Sequence, residues 1–358
     1  MYVRSHIKKQ MSKKIIFIGG IGSKEQFGGE LTKNKLIIEK LSEYCINNQI
    51  QLICVDTYRS NHDIKKKIKI IIKVVCFLFF SINSQFIIST SPLNTYPLLR
   101  LFNICPFHHD ITYLAIGGIF GDLLLKRKFD SKRFKKIKRI TVEGNLIKEQ
   151  LNKCGFNNVI VTGNYKHITK FPKIEKYNDN KIHFLFFSRI TKGKGCDLII
   201  ECINELNDLG YKDKYQVDFY GNVRDIYLSK FTSFVENTPN AYYKGTVDLS
   251  DFNSYLTLAK YHYMLFPTFW EGEGFPGVII DSYISGVPMI ASDWSLNTEY
   301  IINGYTGIIV KAKNKDSLLD AMKNAILSKY DVMTLSNNCQ TEAMKYNIDN
   351  LDINKLLN

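Results

Sequence analysis

Short apolar runs recur along the chain, separated by segments of helix length. The run KIIFIG at residues 14–19 ends in glycines, and similar runs return at 51–55, 85–89, 111–116, 140–142 and 159–161. These runs are continuously apolar, as expected of strands buried on both faces of a parallel sheet. Their alternation with helical segments predicts βαβ units. A polar stretch, YNDNK at 177–181, interrupts the pattern and marks a boundary nearby. Strand-like runs then resume at 181–188, 216–221, 241–245, 263–266, 288–292 and 306–310, with helices over 251–260, 277–286 and 315–327. A chain of 358 residues exceeds what one core usually supports, so two domains of about 160 to 190 residues are expected. Their predicted extents are 1–165 and 166–340, with a terminal segment at 341–358.

One stretch carries most of the chemistry. Residues 266–294, FPTFWEGEGFPGVIIDSYISGVPMIASDW, place an acidic, glycine-rich loop between two strands. Glu273 stands among glycines, where the backbone can approach a ligand closely while the carboxylate reaches hydroxyls. Pro276 and Gly277 open a helix, and Asp281 lies about two turns along it, which can direct it to the same side as the loop. Ligands of open α/β sheets sit outside the carboxyl ends of the strands, where this loop falls. Two carboxylates beside a helix N-terminus fit a ligand with hydroxyls to bind and an anion to hold, such as a nucleotide sugar. The alternative reading of this stretch is a solvated acidic loop with a surface Asp.

Two further segments bear on an anion. After the strand at 181–188, Arg189 and Lys194 flank a glycine-containing turn and Gly195 opens the next helix. A guanidinium gives bidentate hydrogen bonds and an ammonium a point charge, a suitable pair for a diphosphate. Near the start of the chain, Gly28 and Gly29 precede a helix and could admit a phosphate to its N–H groups, although such a pair also marks any tight loop.

The stretch around Glu273 resembles the signature of the family 4 retaining glycosyltransferases of the GT-B fold, in the type that builds capsular and other surface polysaccharides. That signature is Glu-x7-Glu in an EGFP-type loop, and Glu273, Gly274, Phe275, Pro276, Gly277 and Asp281 stand at its positions. Asp281 departs from it by one methylene. The resemblance implies an α/β architecture of two Rossmann-like domains facing across a cleft, the first binding the acceptor, the second the nucleotide sugar, and a terminal helix crossing back to the first. It implies that Glu273 contacts donor-sugar hydroxyls, that position 281 contacts the ribose, that Arg189 and Lys194 hold the diphosphate and stabilise it as leaving group, and that the Gly28–Gly29 loop lies over it. Family members often carry a His in the loop after the fourth strand. Gly117 and Gly118 stand there instead, and no catalytic role passes to His108 or His109. No Asp-x-Asp occurs, which fits transfer without a bound metal, the cations doing the neutralising. No separate cofactor is implied, only a UDP- or GDP-sugar as co-substrate.

Charge adds a partner. Residues 1–165 hold 27 Lys and Arg against 11 Asp and Glu, and the remainder 21 against 23. A basic first half implies an anionic partner, a nucleic acid or an acidic membrane leaflet. The densest basic run is KRKFDSKRFKKIKR at 126–139, which is either a solvated helix face or part of a membrane-facing patch. At 68–80 an apolar segment carries Lys69 and Lys73, in line with Lys65, and is too short and too charged to span a bilayer. It reads as a helix packed on the sheet by its Ile and Phe face, or as one lying on a membrane surface. No nucleic-acid recognition module is evident. The eight cysteines contain no CxxC pair, which with runs such as those around Cys54, Cys76 and Cys196 indicates buried thiols in a reducing cytoplasm. Residues 1–10 read as a disordered leader, with Met11 as a candidate start. The expected activity is sugar transfer to a glycan or lipid-linked saccharide acceptor in the cytoplasm, at the inner face of the membrane. A nucleotide-sugar epimerase or hydrolase of the same fold, and a basic nucleic-acid-binding protein, are the alternatives.

Overall fold

The computed structural model describes residues 13–23, 28–59, 62–81, 84–249 and 251–357. Residues 1–10 and Met11 lie outside that set. Two six-stranded parallel sheets form the frame. The first holds β1 (Lys14–Gly19), β2 (Gln51–Asp56), β3 (Ser84–Thr90), β4 (Asp110–Ala115), β5 (Arg139–Val142) and β6 (Val159–Val161) in the order β2-β1-β3-β4-β5-β6. The second holds β7 (Ile182–Phe187), β8 (Tyr215–Tyr220), β9 (Ala241–Tyr243), β10 (Tyr263–Phe266), β11 (Met289–Ser292) and β12 (Gly307–Val310) in the order β12-β11-β10-β7-β8-β9. Each order changes direction once, between β1 and β3 and between β7 and β10. Crevices at such switch points are where ligands of doubly wound sheets bind.

The helices of the first unit are α1 (Gly29–Asn47), α2 (Ile64–Phe80), α3 (Pro92–Ile104), α4 (Phe120–Leu125) and α5 (Asn145–Lys153). Those of the second are α6 (Cys196–Asp208), α7 (Asp225–Asn237), α8 (Phe252–Leu258), α9 (Gly277–Ile284), α10 (Asn297–Tyr300) and α11 (Lys315–Ile326), followed by α12 (Val332–Ala343) and α13 (Ile353–Leu357). Right-handed crossovers place α1 on one face of the first sheet and α2 and α3 on the other. Every residue of β3 is buried, and so are Ile15 to Ile18 of β1, because helices cover both faces.

After α12 the chain returns to the first sheet. Ile348, Leu351, Ile353, Leu356 and Leu357 share a core with Ile15, Phe17, Leu36, Ile37 and Leu41. Gln85 Nε2 donates to the Leu357 carbonyl and Thr112 Oγ1 to that of Leu356, each at 2.8 Å.

Two expectations need correction. Helix α2 packs by only part of its Ile and Phe face: Val74 and Leu78 are buried and Ile70 and Phe77 partly buried against the core, while Ile64, Ile68, Ile72, Phe79 and Phe80 are exposed. Ile70, Val74, Phe77 and Leu78 form the stripe that faces the core, and the exposed apolar positions lie on the other side of the helix. Likewise Cys54 and Cys76 are exposed, whereas Cys196 is buried, so only some of the thiols are shielded.

Candidate active site

The loops after β7 and β10 meet at the switch point of the second sheet. Gly195, between them, has φ +83°, and a Cβ there would stand 2.2 Å from the Pro267 carbonyl oxygen, so only glycine lets the two loops touch. This contact brings Lys194 and Glu273 together. Lys194 Nζ lies 2.5 Å from Glu273 Oε2, and Thr268 Oγ1 donates to the same oxygen at 2.9 Å. Both charged residues are less than a tenth exposed, at 6% and 7%. Glu273 Oε1 accepts no hydrogen bond among the described residues, which leaves it available to a hydroxyl. Arg189 is exposed, with its guanidinium 5.7 Å from the Trp270 ring centroid and no ion pair among the described residues.

The first sheet supplies the opposite wall. Glu143, just beyond β5, is buried; its Oε1 accepts from Lys33 Nζ of α1 at 2.7 Å. Its Oε2 accepts from the amides of Phe275 at 3.0 Å and Gly117 at 3.4 Å, and its backbone carbonyl from Tyr300 Oη. Lys33 also donates to the Gly163 carbonyl at 3.0 Å. A carboxylate of one wall thus holds an amide of the signature loop in the other. The approach is close: a Cβ on Gly274 would come within 2.0 Å of Glu143 Oε2, and one on Gly118 within 2.0 Å of the Glu273 carbonyl oxygen. Gly118 N donates to the Gly272 carbonyl at 3.3 Å.

Other residues singled out by the sequence are placed less openly. Phe275 is 3% exposed and stacks on Tyr300 at 3.5 Å between centroids, so its side chain faces inward and only its backbone lines the cleft. Asp281 is buried too: Oδ1 accepts from Tyr255 Oη at 2.8 Å and lies 3.1 Å from Lys166 Nζ. Its carboxylate fixes α9 against α8 and the segment entering the second sheet. Pro276 caps α9 and Gly277 is its first residue. Gly28 caps α1 with an extended backbone and Gly29 begins it, with open space around a Cβ at Gly29. Neither packing nor conformation demands glycine at those two positions.

Nearby, in the first turn of α1, burial pushes the Glu30 carboxyl up to about 7, opposed by a hydrogen bond from the Gly20 backbone. Glu143, Lys33 and Thr268 were not evident in the sequence. For Glu143 a signal existed, an acidic residue directly after the apolar run at 140–142, at the carboxyl end of a strand. Among the described residues no group of three or more His, Cys, Asp or Glu could hold a metal ion.

The family described as glycosyl transferases group 1 matches residues 167–345, half of the chain. The chain belongs to this family. A protein of the cps region of Klebsiella pneumoniae, described as an uncharacterized 41.2 kDa protein, is 29% identical over 159 residues, covering 43% of this chain and 40% of its own. An uncharacterized glycosyltransferase of Methanocaldococcus jannaschii is 26% identical over 147 residues, 41% of this chain and 36% of its own. The chain therefore spans about two fifths of the length of the curated relatives it matches. Among solved structures, sucrose-phosphate synthase of Thermosynechococcus elongatus superposes with a TM-score of 0.72 at 12% identity, covering 96% of this chain and 97% of that one. The lipopolysaccharide outer core galactosyltransferase WaaB gives 0.71 at 14%, covering 96% and 99%. Anabaena HepE in complex with UDP gives 0.67 at 14%, covering 95% and 98%. At these identities the likeness shows the fold, and this member of the group 1 family has the GT-B fold.

Proposed function

We propose that this chain transfers a sugar, with retention of configuration, from a nucleotide-diphosphate sugar to a glycan or lipid-linked saccharide used in surface polysaccharide assembly. The observation that carries the reading is the buried Lys194–Glu273 pair at the β7/β10 switch point, beside the unpaired Arg189. The second domain, 166–340, takes the donor, and the first, 1–165 together with 341–358, takes the acceptor. Arg189 and the N-terminus of α6 hold the diphosphate. Lys194, already neutralising Glu273, turns part of its charge to the phosphate as the glycosidic bond breaks, which stabilises the leaving group. Glu273 Oε1 accepts a donor-sugar hydroxyl, and the backbone amides of Gly274 and Gly277 line the path. Gly28 and Gly29 bring the start of α1 over the diphosphate. Asp281 acts mainly by holding α9, and its tie to Lys166 makes any ribose contact a shared one. Charge neutralisation by Arg189 and Lys194 supports transfer without a bound metal. The complexes of HepE with UDP and UDP-glucose support a uridine nucleotide, with a GDP-sugar as the other choice. The protein from the cps region supports the capsular role.

Placement at the cytoplasmic face of the membrane is part of this reading. What supports it is the outer face of α2, where Ile68, Ile72 and Phe79 stand exposed beside the row Lys65, Lys69 and Lys73. An apolar ridge flanked by cations suits an anionic bilayer surface. No helix among the described residues is long and apolar enough to cross a membrane.

The test is the thermal unfolding midpoint with UDP, GDP and ADP over a range of concentrations. A ligand at a hundred times its dissociation constant adds about 2.7 kcal/mol, which raises the midpoint by several degrees. A rise with one diphosphate names the donor class. No rise with any of them refutes the proposal.

A further inference from the structure

The only two tryptophans of the chain, Trp270 and Trp294, sit against each other at the mouth of the site. Trp294 Nε1 donates to the Trp270 carbonyl at 2.8 Å. Trp270 is 46% exposed, a large apolar surface left in water beside a buried ion pair. Phe269 stands next to it, partly exposed. Over these rings lies Lys313, its Nζ 4.9 Å from the Trp294 centroid and 5.6 Å from that of Phe269. Lys313 has φ +58°, a backbone conformation uncommon for residues with a side chain. It makes no ion pair among the described residues, in contrast to its neighbour Lys311, which pairs with Asp293 at 3.1 Å.

Strand order fixes the direction of this shelf. Phe269 and Trp270 follow β10, Trp294 follows β11 and Lys313 follows β12, so the shelf begins at Trp270, whose ring lies against Gly193 and 5.7 Å from the Arg189 guanidinium in the loop after β7, and runs from there away from β8 and β9. On the reading given above, on which this inference rests, the diphosphate occupies the loop after β7. The shelf then borders the donor site at Trp270, and its far end, Trp294 and Lys313, lies on the side away from the diphosphate.

We propose that this aromatic shelf binds a sugar unit of the acceptor that carries an anionic group, a uronate or a phosphate-bearing sugar. The indole and phenyl faces take the C–H face of a pyranose ring, and Trp combines a broad apolar surface with a polar handle, as at other recognition surfaces. Lys313 takes the anion. Held over two rings and unpaired, its ammonium needs little reordering to accept a charge-assisted hydrogen bond. The acceptor is thereby recognised from the second domain as well as the first, and an acidic glycan is preferred to a neutral one.

Because the shelf contains both tryptophans, their emission reports its occupancy directly. The full chain is titrated with oligogalacturonate, with maltooligosaccharide of the same length and with single-stranded DNA, while a parallel thermal scan follows UDP. Oligogalacturonate is expected to change the emission saturably and to bind at least about tenfold more tightly than the neutral oligomer, and Lys313→Ala to weaken it by about tenfold. Trp270→Phe, which keeps a ring against Gly193, is expected to fold and to weaken binding less. Equal response to acidic and neutral oligomers, tighter binding of DNA, or an unchanged affinity in Lys313→Ala overturns the assignment. An emission unmoved by glycan while UDP still raises the midpoint overturns the shelf alone. Failure of both ligands overturns the glycosyl-transfer reading with it.

Discussion

Exchanging Lys33 for Met and Glu143 for Gln, singly and together, probes the ion pair within the first wall that holds Glu143 where it meets the Phe275 amide of the other wall. Both side chains are under a tenth exposed, at 8% and 6%, and their 2.7 Å ion pair is surrounded by the Gly163 carbonyl and the Phe275 and Gly117 amides. Removing one partner strands the other as a buried charge, at a cost of roughly 3–5 kcal/mol. Lys33→Met leaves the carboxylate with two amides; Glu143→Gln leaves the ammonium with one carbonyl and faces it with an amide group. In the double variant neither charge remains, and the Gln oxygen can still accept from Phe275, so its cost is expected to be smaller than either single loss. The coupling energy, the summed single costs less that of the double, is then at least about 3 kcal/mol. Thermal unfolding followed by circular dichroism reads it, at roughly 2 °C per kcal/mol for a chain of this size. The difference should persist in 1 M salt, since buried pairs are weakly screened. Single effects that add within about 0.5 kcal/mol, or a Lys33→Met cost below about 1 kcal/mol, would refute the argument that this pair is desolvated.

Three other outcomes are expected. Lys194→Ala and Glu273→Ala should fold yet lose sugar transfer by about a hundredfold or more, as on loss of a transition-state charge contact, and near-normal turnover in either would remove it from the site. Glu30 is an acid whose folded value, about 7, lies above its ordinary 4.5. The folded protein therefore holds this proton more tightly than the unfolded chain, and stability falls as pH rises through that interval. Glu30→Gln should thus gain about 3 kcal/mol over the parent at pH 8 and nothing near pH 4, as read by urea denaturation, and a gain independent of pH would contradict it. Replacing Ile72 and Phe79 by Ser, or reversing the charges at 126–139, should weaken binding to anionic vesicles without changing the UDP-induced midpoint shift; vesicle binding that survives both changes speaks against a membrane-facing surface.

The strands were legible because parallel sheets covered on both faces require continuous apolar runs, and β3 and β10 show that requirement residue by residue. Which strands become neighbours was not, since β7 pairs with β10 across about eighty residues through registers that no local pattern encodes. Helix α2 shows a different limit. Apart from its lysine row the helix carries Ile, Val or Phe on more than one side, so periodicity identified a helix but not which apolar side faces the sheet. Phe275 reads as part of a ligand loop, yet the partner that turns it inward, Tyr300, lies on α10. The spacing of Asp281 from Glu273 is local and readable, whereas Lys166 and Tyr255, which hold its carboxylate, come from distant segments. Glu143 escaped for the same reason: its partners Lys33, Gly117 and Phe275 come from three separate stretches, and only the folded chain brings them to one carboxylate.

The return of residues 348–357 to the first sheet has a bearing on biosynthesis. Leu36, Ile37 and Leu41 of α1 are made early, yet the side chains that cover them, Ile353, Leu356 and Leu357 among them, are made more than three hundred residues later. The first domain therefore waits on the ribosome with an apolar face uncovered while the second domain, whose core draws on residues from 182 to 335, can close before it. Cutting the chain between β6 and β7 would leave that face permanently bare, so the first sheet and its helices expressed by themselves should need either a chaperone or the missing segment supplied as a peptide.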